Sequence, residues 1–237
     1  MIRLKSAQDL IYIKKAIEIG ESVLNEIEKY ISPENRNVID LNCLIGNLIK
    51  EKNAEPSFYG YEGFPGNACI SINEEIIHGI PVYRNLKDGD IIKIDIGINY
   101  NGYFSDQART YIVGEIKDHK HYELINACQK ALEVASTLVK QKYNLKVVSQ
   151  NIEEIAKSYN LGILKDYGGH GVGFEVHEEP KIPNYAPYVD LELKPGMVLA
   201  IEPMFVLGKG NYHKSENGWT IIADGIGAHF EKTIIIE

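Results

Sequence analysis

The chain lacks several features that would place it in other protein classes. No apolar run approaches the roughly 18 residues of a membrane-spanning helix. Its three cysteines, Cys43, Cys69 and Cys128, lie far apart and form no C-x-x-C pair, which argues against a disulfide framework or a structural zinc site. The N-terminal residues MIRLKSAQDL carry charges where a signal peptide needs an apolar core. These absences predict a protein of the reducing cytoplasm, without membrane contact.

An excess of basic charge is also lacking. The 237 residues include 25 Lys and Arg against 33 Asp and Glu, for a net charge of -8. Surfaces that bind nucleic acid neutralise phosphates with clustered Lys and Arg, so no direct nucleic-acid partner is expected. With 44% hydrophobic residues the chain can bury a large core, and we expect a single domain over residues 1–237.

Helical periodicity occurs in two places in each half of the sequence. Ser6 followed by Asp9 resembles a capping box, and apolar residues then recur on one helical face as far as Ile27. Similar spacing follows the Ser32-Pro33 break. Helices are therefore expected over about 6–30, around 41–49, and near 118–142 and 146–160, with strands after each pair.

Two short echoes indicate a duplicated architecture. HGIP at His78 matches HEEP at His177 as H-x-x-P, and LKDGDIIKID matches LKPGMVLAIE. Asp95 and Glu202 end the latter pair at corresponding places, so a duplication would bring both acids to one seam. The predicted halves span roughly 6–114 and 118–237.

A β-hairpin carries two acids of the predicted site. The Asn-Gly pair at 101–102, between IIKIDIGINY and YFSDQARTYIV, is the strongest short hairpin signal. A two-residue turn there sets Asp95 opposite Ala108 and Gly97 opposite Asp106. Asp95 and Asp106 then share one face as diagonal neighbours, about 7 to 8 Å apart at the backbone. Their carboxylates can converge on a shared cation.

Two further acids and a histidine extend this set. Two Asp residues on an arbitrary hairpin are more often simply solvated, and a lone His is more often structural. However, Glu202 and Glu231 also lie beside apolar strand residues, where charges occur when they are paired or bind metal. His170 supplies a nitrogen in the glycine-rich GGHGVG, where missing side chains would allow close approach of metal or substrate. A glycosidase pair explains too few of these residues. One nitrogen with several carboxylates suits two divalent transition ions and hydrolase chemistry.

With these residues in this order, the chain resembles the methionine aminopeptidases of the type I, bacterial-length class. The resemblance covers nearly the whole chain, and its motifs are INEEIIHGIP, KIDIGINYNGYFSD, GGHGVGFEVHEEP, GMVLAIEPM, NGWT and HFEKT. It implies an α+β pita-bread fold, with two pseudo-symmetric helix-helix-strand halves around a curved antiparallel sheet. Only 24 residues separate His177 from Glu202, which leaves no space for the helical insertion of the type II class.

The resemblance implies a role for each ligand. Asp106 and Glu231 would bridge two divalent ions (Co, Mn, Fe or Zn). Asp95 would chelate one ion, and His170 with Glu202 would chelate the other. Glu202 also resembles the family's proton-shuttling acid.

The resemblance also implies substrate-binding residues. His177 would stabilise the developing oxyanion and His78 would assist near the scissile nitrogen, although both could instead be structural histidines. Aromatic walls suit a methionine thioether, and the predicted pocket consists of Tyr61, Phe64, Cys69 and Trp219. Phe58, Phe64 and Val176 depart from residues common in the family, which bears on pocket size.

The implied function is removal of the initiator methionine from nascent polypeptides with a small second residue. Contact with the ribosome is expected from that role, and the protein is expected to be a monomer. Two alternatives stay open at this point: a related proline-specific aminopeptidase or prolidase, although these usually carry an additional N-terminal domain, and a non-catalytic binding member of the group.

Overall fold

A computed structural model describes residues 2–33, 37–116 and 118–237. Helix α1 spans Ala7–Ile27 and continues into a 3-10 turn at Glu28–Tyr30, close to the predicted 6–30. Its capping box is present as predicted, because Ser6 accepts from the Asp9 backbone and the Asp9 carboxylate accepts from the Ser6 backbone. The buried stripe of α1 faces the sheet.

The other helices also lie close to their predicted ranges. They are α2 (Val38–Glu51), α3 (His119–Lys140) and α4 (Leu145–Ser158). Each begins at an Asn or Asp whose side chain accepts a first-turn N–H, which explains where the helices start. Within the described ranges, no helix combines the length and the apolar character needed to cross a membrane.

The strands of the described residues fall into three sheets. In chain order they are β1 (Glu55–Pro56), β2 (Cys69–Ile72), β3 (Glu75–Ile77), β4 (Ile91–Tyr100), β5 (Tyr103–Ile112), β6 (Gly162–Ile163), β7 (Gly168–Gly171), β8 (Glu178–Pro183), β9 (Val198–Ile201), β10 (Met204–Val206), β11 (Tyr212–Lys214), β12 (Ile221–Ala223), β13 (Gly227–His229) and β14 (Glu231–Ile235). A further 3-10 turn spans Tyr61–Gly63.

The main sheet has eight antiparallel strands in the order β1-β4-β5-β14-β9-β7-β8, with β2 also on β4. Its centre is the β5–β14 contact. On one side lie β5, β4 and β2, and on the other lie β14, β9 and β7, so the two halves contribute matching strand triplets. Two three-stranded sheets, β13-β10-β6 and β11-β12-β3, complete the fold.

The predicted hairpin register is confirmed. Asp95 pairs with Ala108 and Gly97 pairs with Asp106 across β4 and β5. The two turn residues at 101–102 have φ of 53° and 82°, as a primed turn requires. The isoleucines at 92, 94, 96 and 98 belong to the core beneath α1 and α2. The acids therefore project from the sheet face opposite those helices.

That opposite face is itself buried around the hairpin. Lys93 is only 1% exposed, and its Nζ donates to the carbonyl oxygens of Asn73 at 2.7 Å and Ile91 at 3.3 Å. Burial lowers the pKa of Lys93 to about 7. In the second half, α3 and α4 pack on the face of β14 that carries Ile234, opposite the face that carries Glu231, as α1 and α2 do on β4. The acid-bearing face is thus the one turned away from the helices in both halves.

The glycine-rich segment around His170 forms strand β7, and two of its glycines lie close to neighbouring backbones. A Cβ at Gly169 would lie 2.3 Å from the Ala200 carbonyl oxygen, and one at Gly171 would lie 2.2 Å from that of Glu179. The missing side chains therefore admit the backbones of the neighbouring chain segments. The expectation that they also make room for metal or substrate stays a prediction.

Candidate metal centre and cleft

The five predicted ligands meet at the centre of the main sheet. The hairpin supplies Asp95 and Asp106 on one face. Glu231 pairs with Ala108, which brings β14 beside β5. Glu202 directly follows β9, and His170 lies on β7, the strand next to β9.

The side-chain atoms of these residues come within a few ångströms of one another. His170 Nε2 is 3.6 Å from Glu231 Oε1, 3.7 Å from Glu202 Oε1 and 3.8 Å from Asp106 Oδ2. Asp95, Asp106 and Glu231 also offer oxygens that lie within 4.8 Å of one another. Two overlapping groups of ligand atoms thus share Glu231, and Asp106 contacts both.

Several oxygens of these buried carboxylates have no hydrogen-bond donor. Asp95 Oδ1, Asp106 Oδ1 and Glu231 Oε1 are buried and lack a hydrogen bond. Burial, together with neighbouring carboxylates, raises the pKa of Asp95, Glu202 and Glu231 well above the ordinary value, and burial also raises that of Asp106. Buried carboxylates with orphaned oxygens are the arrangement that a bound cation would neutralise.

The histidine is prepared to act as a neutral ligand. His170 Nδ1 lies 2.9 Å from the Gly171 carbonyl oxygen, which fixes the ring with Nε2 toward the carboxylates. Burial lowers the pKa of His170 to about 3, so Nε2 keeps its lone pair at neutral pH. One imidazole with four carboxylates fits divalent transition ions better than calcium, which prefers oxygen alone.

Comparison with known proteins identifies the group to which this fold and cluster belong. The model of metallopeptidase family M24 matches residues 12–237. The chain belongs to metallopeptidase family M24. It is 41% identical to methionine aminopeptidase 1 of Bacillus subtilis over 239 residues, covering 100% of this chain and 96% of the relative.

Solved structures agree with that assignment. The methionine aminopeptidase of Thermotoga maritima superposes with a TM-score of 0.95 at 39% identity, over 100% of this chain and 96% of that chain. The prolidase of Pyrococcus furiosus gives 0.79 at 27% identity and matches over only 62% of its length. The predicted pita-bread fold and the resemblance to methionine aminopeptidases are confirmed.

A cleft of about 1080 Å³ opens onto the ligand cluster of this M24 chain. Both predicted auxiliary histidines line it. The His177 ring centroid lies 4.4 Å from that of His170, and His177 Nδ1 lies 3.2 Å from the Tyr61 hydroxyl. His78 stands edge-on to Tyr167 at 6.0 Å, and burial lowers the pKa of His78 to about 4. Both histidines therefore face the cleft, as substrate-binding groups must.

The predicted pocket residues adjoin the ligand cluster. Cys69 pairs with Asp95 across β2 and β4, and Phe64 meets Trp219 edge-on at 5.2 Å. Tyr61 lies on the rim beside His177. An apolar chamber thus begins next to the metal centre.

Two members of that chamber were noted in the sequence only as departures from the family. Phe58 and Val176 form one buried cluster with Phe64 and Cys69. A Cβ at Gly97 would lie 2.0 Å from Ser57 Oγ and 2.6 Å from Phe58 Cε1, so the space beside Gly97 is filled by Ser57 and the Phe58 ring. Alternation along the hairpin could not reveal this, because Phe58 reaches the site from a loop outside β4 and β5.

One further residue beside the carboxylates, His229, was not predicted from the sequence. It is 1% exposed, and its Nε2 lies 3.4 Å from Glu202 Oε2 and 3.7 Å from Glu231 Oε2. Its place two residues before Glu231 was a usable signal, since alternate residues of an extended chain face the same side.

Proposed function

We propose that this cleft hydrolyses the first peptide bond of polypeptides that begin with methionine, using two divalent ions held by Asp95, Asp106, His170, Glu202 and Glu231. The observation that carries the proposal is the Cys69–Asp95 pairing, which sets an apolar chamber directly against the acid cluster. The names of the full-length relatives support the same activity.

Each ligand has a part that its position supports. Glu231 belongs to both overlapping groups of ligand atoms, and Asp106 belongs to one of them and lies 3.8 Å from His170 of the other, so these two acids would bridge the ions. Asp95 would complete one site. His170 and Glu202 would complete the other site. Bound divalent ions would polarise the scissile carbonyl and lower the pKa of water near it.

The remaining chemistry falls to the side chains. Glu202 is 12% exposed toward the cleft, and its carboxylate would take the proton of the attacking water and pass it to the leaving amine. The Tyr61 hydroxyl lies at His177 Nδ1, so Nε2 is available to donate to the carbonyl oxygen as it gains charge. His78 would hydrogen-bond near the scissile nitrogen.

The chamber would select the first residue. Phe64, Trp219 and Cys69 supply a soft apolar wall suited to a thioether, with Tyr61 at the rim. Phe58 and Val176 narrow the same space. A longer or charged first side chain would leave either steric overlap or an unpaired charge in the chamber.

The setting proposed for this activity follows from the substrate. We propose that the chain acts in the cytoplasm as a monomer on nascent polypeptides, in contact with the ribosome. We also propose that residues 1–237 form one catalytic domain whose halves span roughly 6–114 and 118–237.

The proposal is tested with metal-loaded protein and the peptides Met-Ala-Ser, Met-Lys-Ser and Leu-Ala-Ser. We expect free methionine from Met-Ala-Ser, little product from Met-Lys-Ser, and turnover of Leu-Ala-Ser reduced roughly 10- to 200-fold by the pocket. EDTA should abolish the reaction and Mn²⁺, Fe²⁺ or Co²⁺ should restore it.

Two results would contradict the proposal. Absence of methionine release with all three metals would exclude the activity and favour a binding role for the cleft. Faster cleavage of peptides with proline in second position and no methionine would favour the prolidase-like alternative.

A further inference from the structure

The far side of the Glu202–Glu231 pair carries a second imidazole. His170 approaches the Oε1 atoms of both acids, at 3.7 and 3.6 Å. His229 approaches the Oε2 atoms of the same acids, at 3.4 and 3.7 Å. The two carboxylates therefore lie between two buried rings.

The fold fixes the place of this second ring. The His229 backbone N–H donates to Thr110 Oγ1 at 2.9 Å, and the Thr110 hydroxyl donates to the His229 carbonyl oxygen at 2.7 Å. This double contact ties the end of β13 to β5. The side chain is 1% exposed and has little freedom to turn elsewhere.

The His229 ring has no structural hydrogen bond among the described residues. Neither Nδ1 nor Nε2 of His229 makes a hydrogen bond within the protein. A buried imidazole that is aimed at two carboxylates, and has no structural partner, indicates a role at the site.

A donor role fits better than direct coordination. Among the described residues, none of the groups of ligand atoms close enough to hold an ion contains His229, whereas His170 belongs to two of them. A neutral imidazole has one N–H, and with an ion bound to keep both carboxylates ionised, their Oε2 atoms would favour that proton on Nε2 over a lone pair facing them. A small carboxylate rotation would close 3.4 Å to a hydrogen bond.

We infer that His229 is a positioning residue: its Nε2–H holds the Oε2 atom of Glu202, and electrostatically that of Glu231, so that the Oε1 atoms stay directed at the ion beside His170. The inference rests on the proposed metal site and adds to it a residue outside the five ligands. Groups that orient metal ligands typically change affinity about 10- to 100-fold when removed.

The test compares three variants by chelator-competition titration with Mn²⁺. His229→Leu removes the donor, His229→Gln keeps an N–H donor, and Phe230→Leu disturbs the core beside the site without touching it. We expect His229→Leu to bind Mn²⁺ about 10- to 100-fold more weakly. His229→Gln and Phe230→Leu should stay near the wild-type affinity, with circular dichroism confirming that each variant is folded.

A second measurement needs no variant. In the Co²⁺-loaded wild type, NMR should show one contact-shifted imidazole N–H, that of His170 Nδ1, because only His170 is bonded to the ion. A second such signal that disappears in His229→Gln would overturn the inference in favour of direct coordination.

The remaining outcomes are also decisive. Wild-type Mn²⁺ affinity in His229→Leu, or equal weakening in His229→Gln and His229→Leu, would overturn the donor role while leaving the metal site intact. Failure of the wild type itself to bind Mn²⁺ would instead overturn the proposed function.

Discussion

Two clusters of buried charge in this protein are built in opposite ways. At the metal centre, four carboxylates converge with His170, and no lysine or arginine of the described residues lies within 4.0 Å of them. At the N-terminal clamp, which we define as Arg3, Lys5 and Glu178, the buried carboxylate is neutralised by basic side chains of the protein itself. Lys5 Nζ lies 2.8 Å from Glu178 Oε2, with both side chains 2% exposed.

The two clusters also differ in how many of their carboxylate oxygens accept a hydrogen bond. Glu178 Oε1 accepts from the backbone N–H groups of Phe174 at 2.6 Å and Glu175 at 3.1 Å, so both its oxygens are satisfied. At the metal centre, oxygens of Asp95, Asp106 and Glu231 remain without a donor. The fold can satisfy a buried carboxylate when it supplies the partners, which indicates that the metal centre is built for a cation from outside.

The largest effect is expected at the metal centre. Asp106→Asn should reduce methionine release from Met-Ala-Ser roughly 10³-fold, since several kcal/mol of metal-dependent stabilisation should disappear with the charge proposed to bridge the ions. Elemental analysis should show the loss of metal in parallel. Asp40→Asn, an exposed change on α2, is the matched control. Full activity of Asp106→Asn would mean that the acid cluster does not need an external cation, and the difference from the clamp would be lost.

At the clamp, loss of the internal cation should destabilise the protein. Lys5→Met should lower the free energy of unfolding by about 3 kcal/mol, because Glu178 stays buried and, among the described residues, the half-exposed Arg3 is the one cation that remains beside it. Urea unfolding measures this change. Lys14→Met removes an exposed ion pair instead and should change stability by less than about 0.5 kcal/mol. Equal effects of the two substitutions would mean that the burial of the clamp is unimportant.

Adding a divalent cation that binds at the metal centre should stabilise the folded protein. Mn²⁺ added to EDTA-treated protein at about 100 times its Kd should contribute roughly 2.7 kcal/mol by mass action. Thermal unfolding with and without Mn²⁺ measures the gain. Asp106→Asn should show little of it, and an undiminished gain in that variant would place the stabilising ion elsewhere.

Lys93 is a third buried charge, with neutral carbonyl partners in place of an opposite charge, and its substitution should have the smallest effect on stability. Its partners are carbonyl oxygens that have other donors, since Asn73 O also accepts from Gly227 N at 3.2 Å and Ile91 O from Asn73 N at 2.9 Å. Lys93→Met should therefore leave no orphaned group and stabilise the protein by about 1 kcal/mol through removal of a buried charge. Lys15→Met is the exposed control. Strong destabilisation by Lys93→Met alone would show that the charge itself is needed.

Local patterns in the sequence were sufficient for the helices and the hairpin. A capping box placed the start of α1, and the Asn-Gly turn with strict alternation set Asp95 and Asp106 on one face. Such features depend on neighbours within a few residues, so the sequence expresses them directly. The strand at Gly168–Gly171 was not foreseen, because glycine has low strand preference and its value here lies in close backbone packing.

By itself, then, the sequence determined the helix starts, the hairpin register and a set of acids whose burial would require a cation. Only the tertiary structure decided how those acids meet, because β14 joins the two halves by pairing with both β5 and β9. It alone also brought Phe58 into the chamber and His229 behind Glu202. Contacts between distant segments depend on the whole sheet, and no local periodicity encodes them.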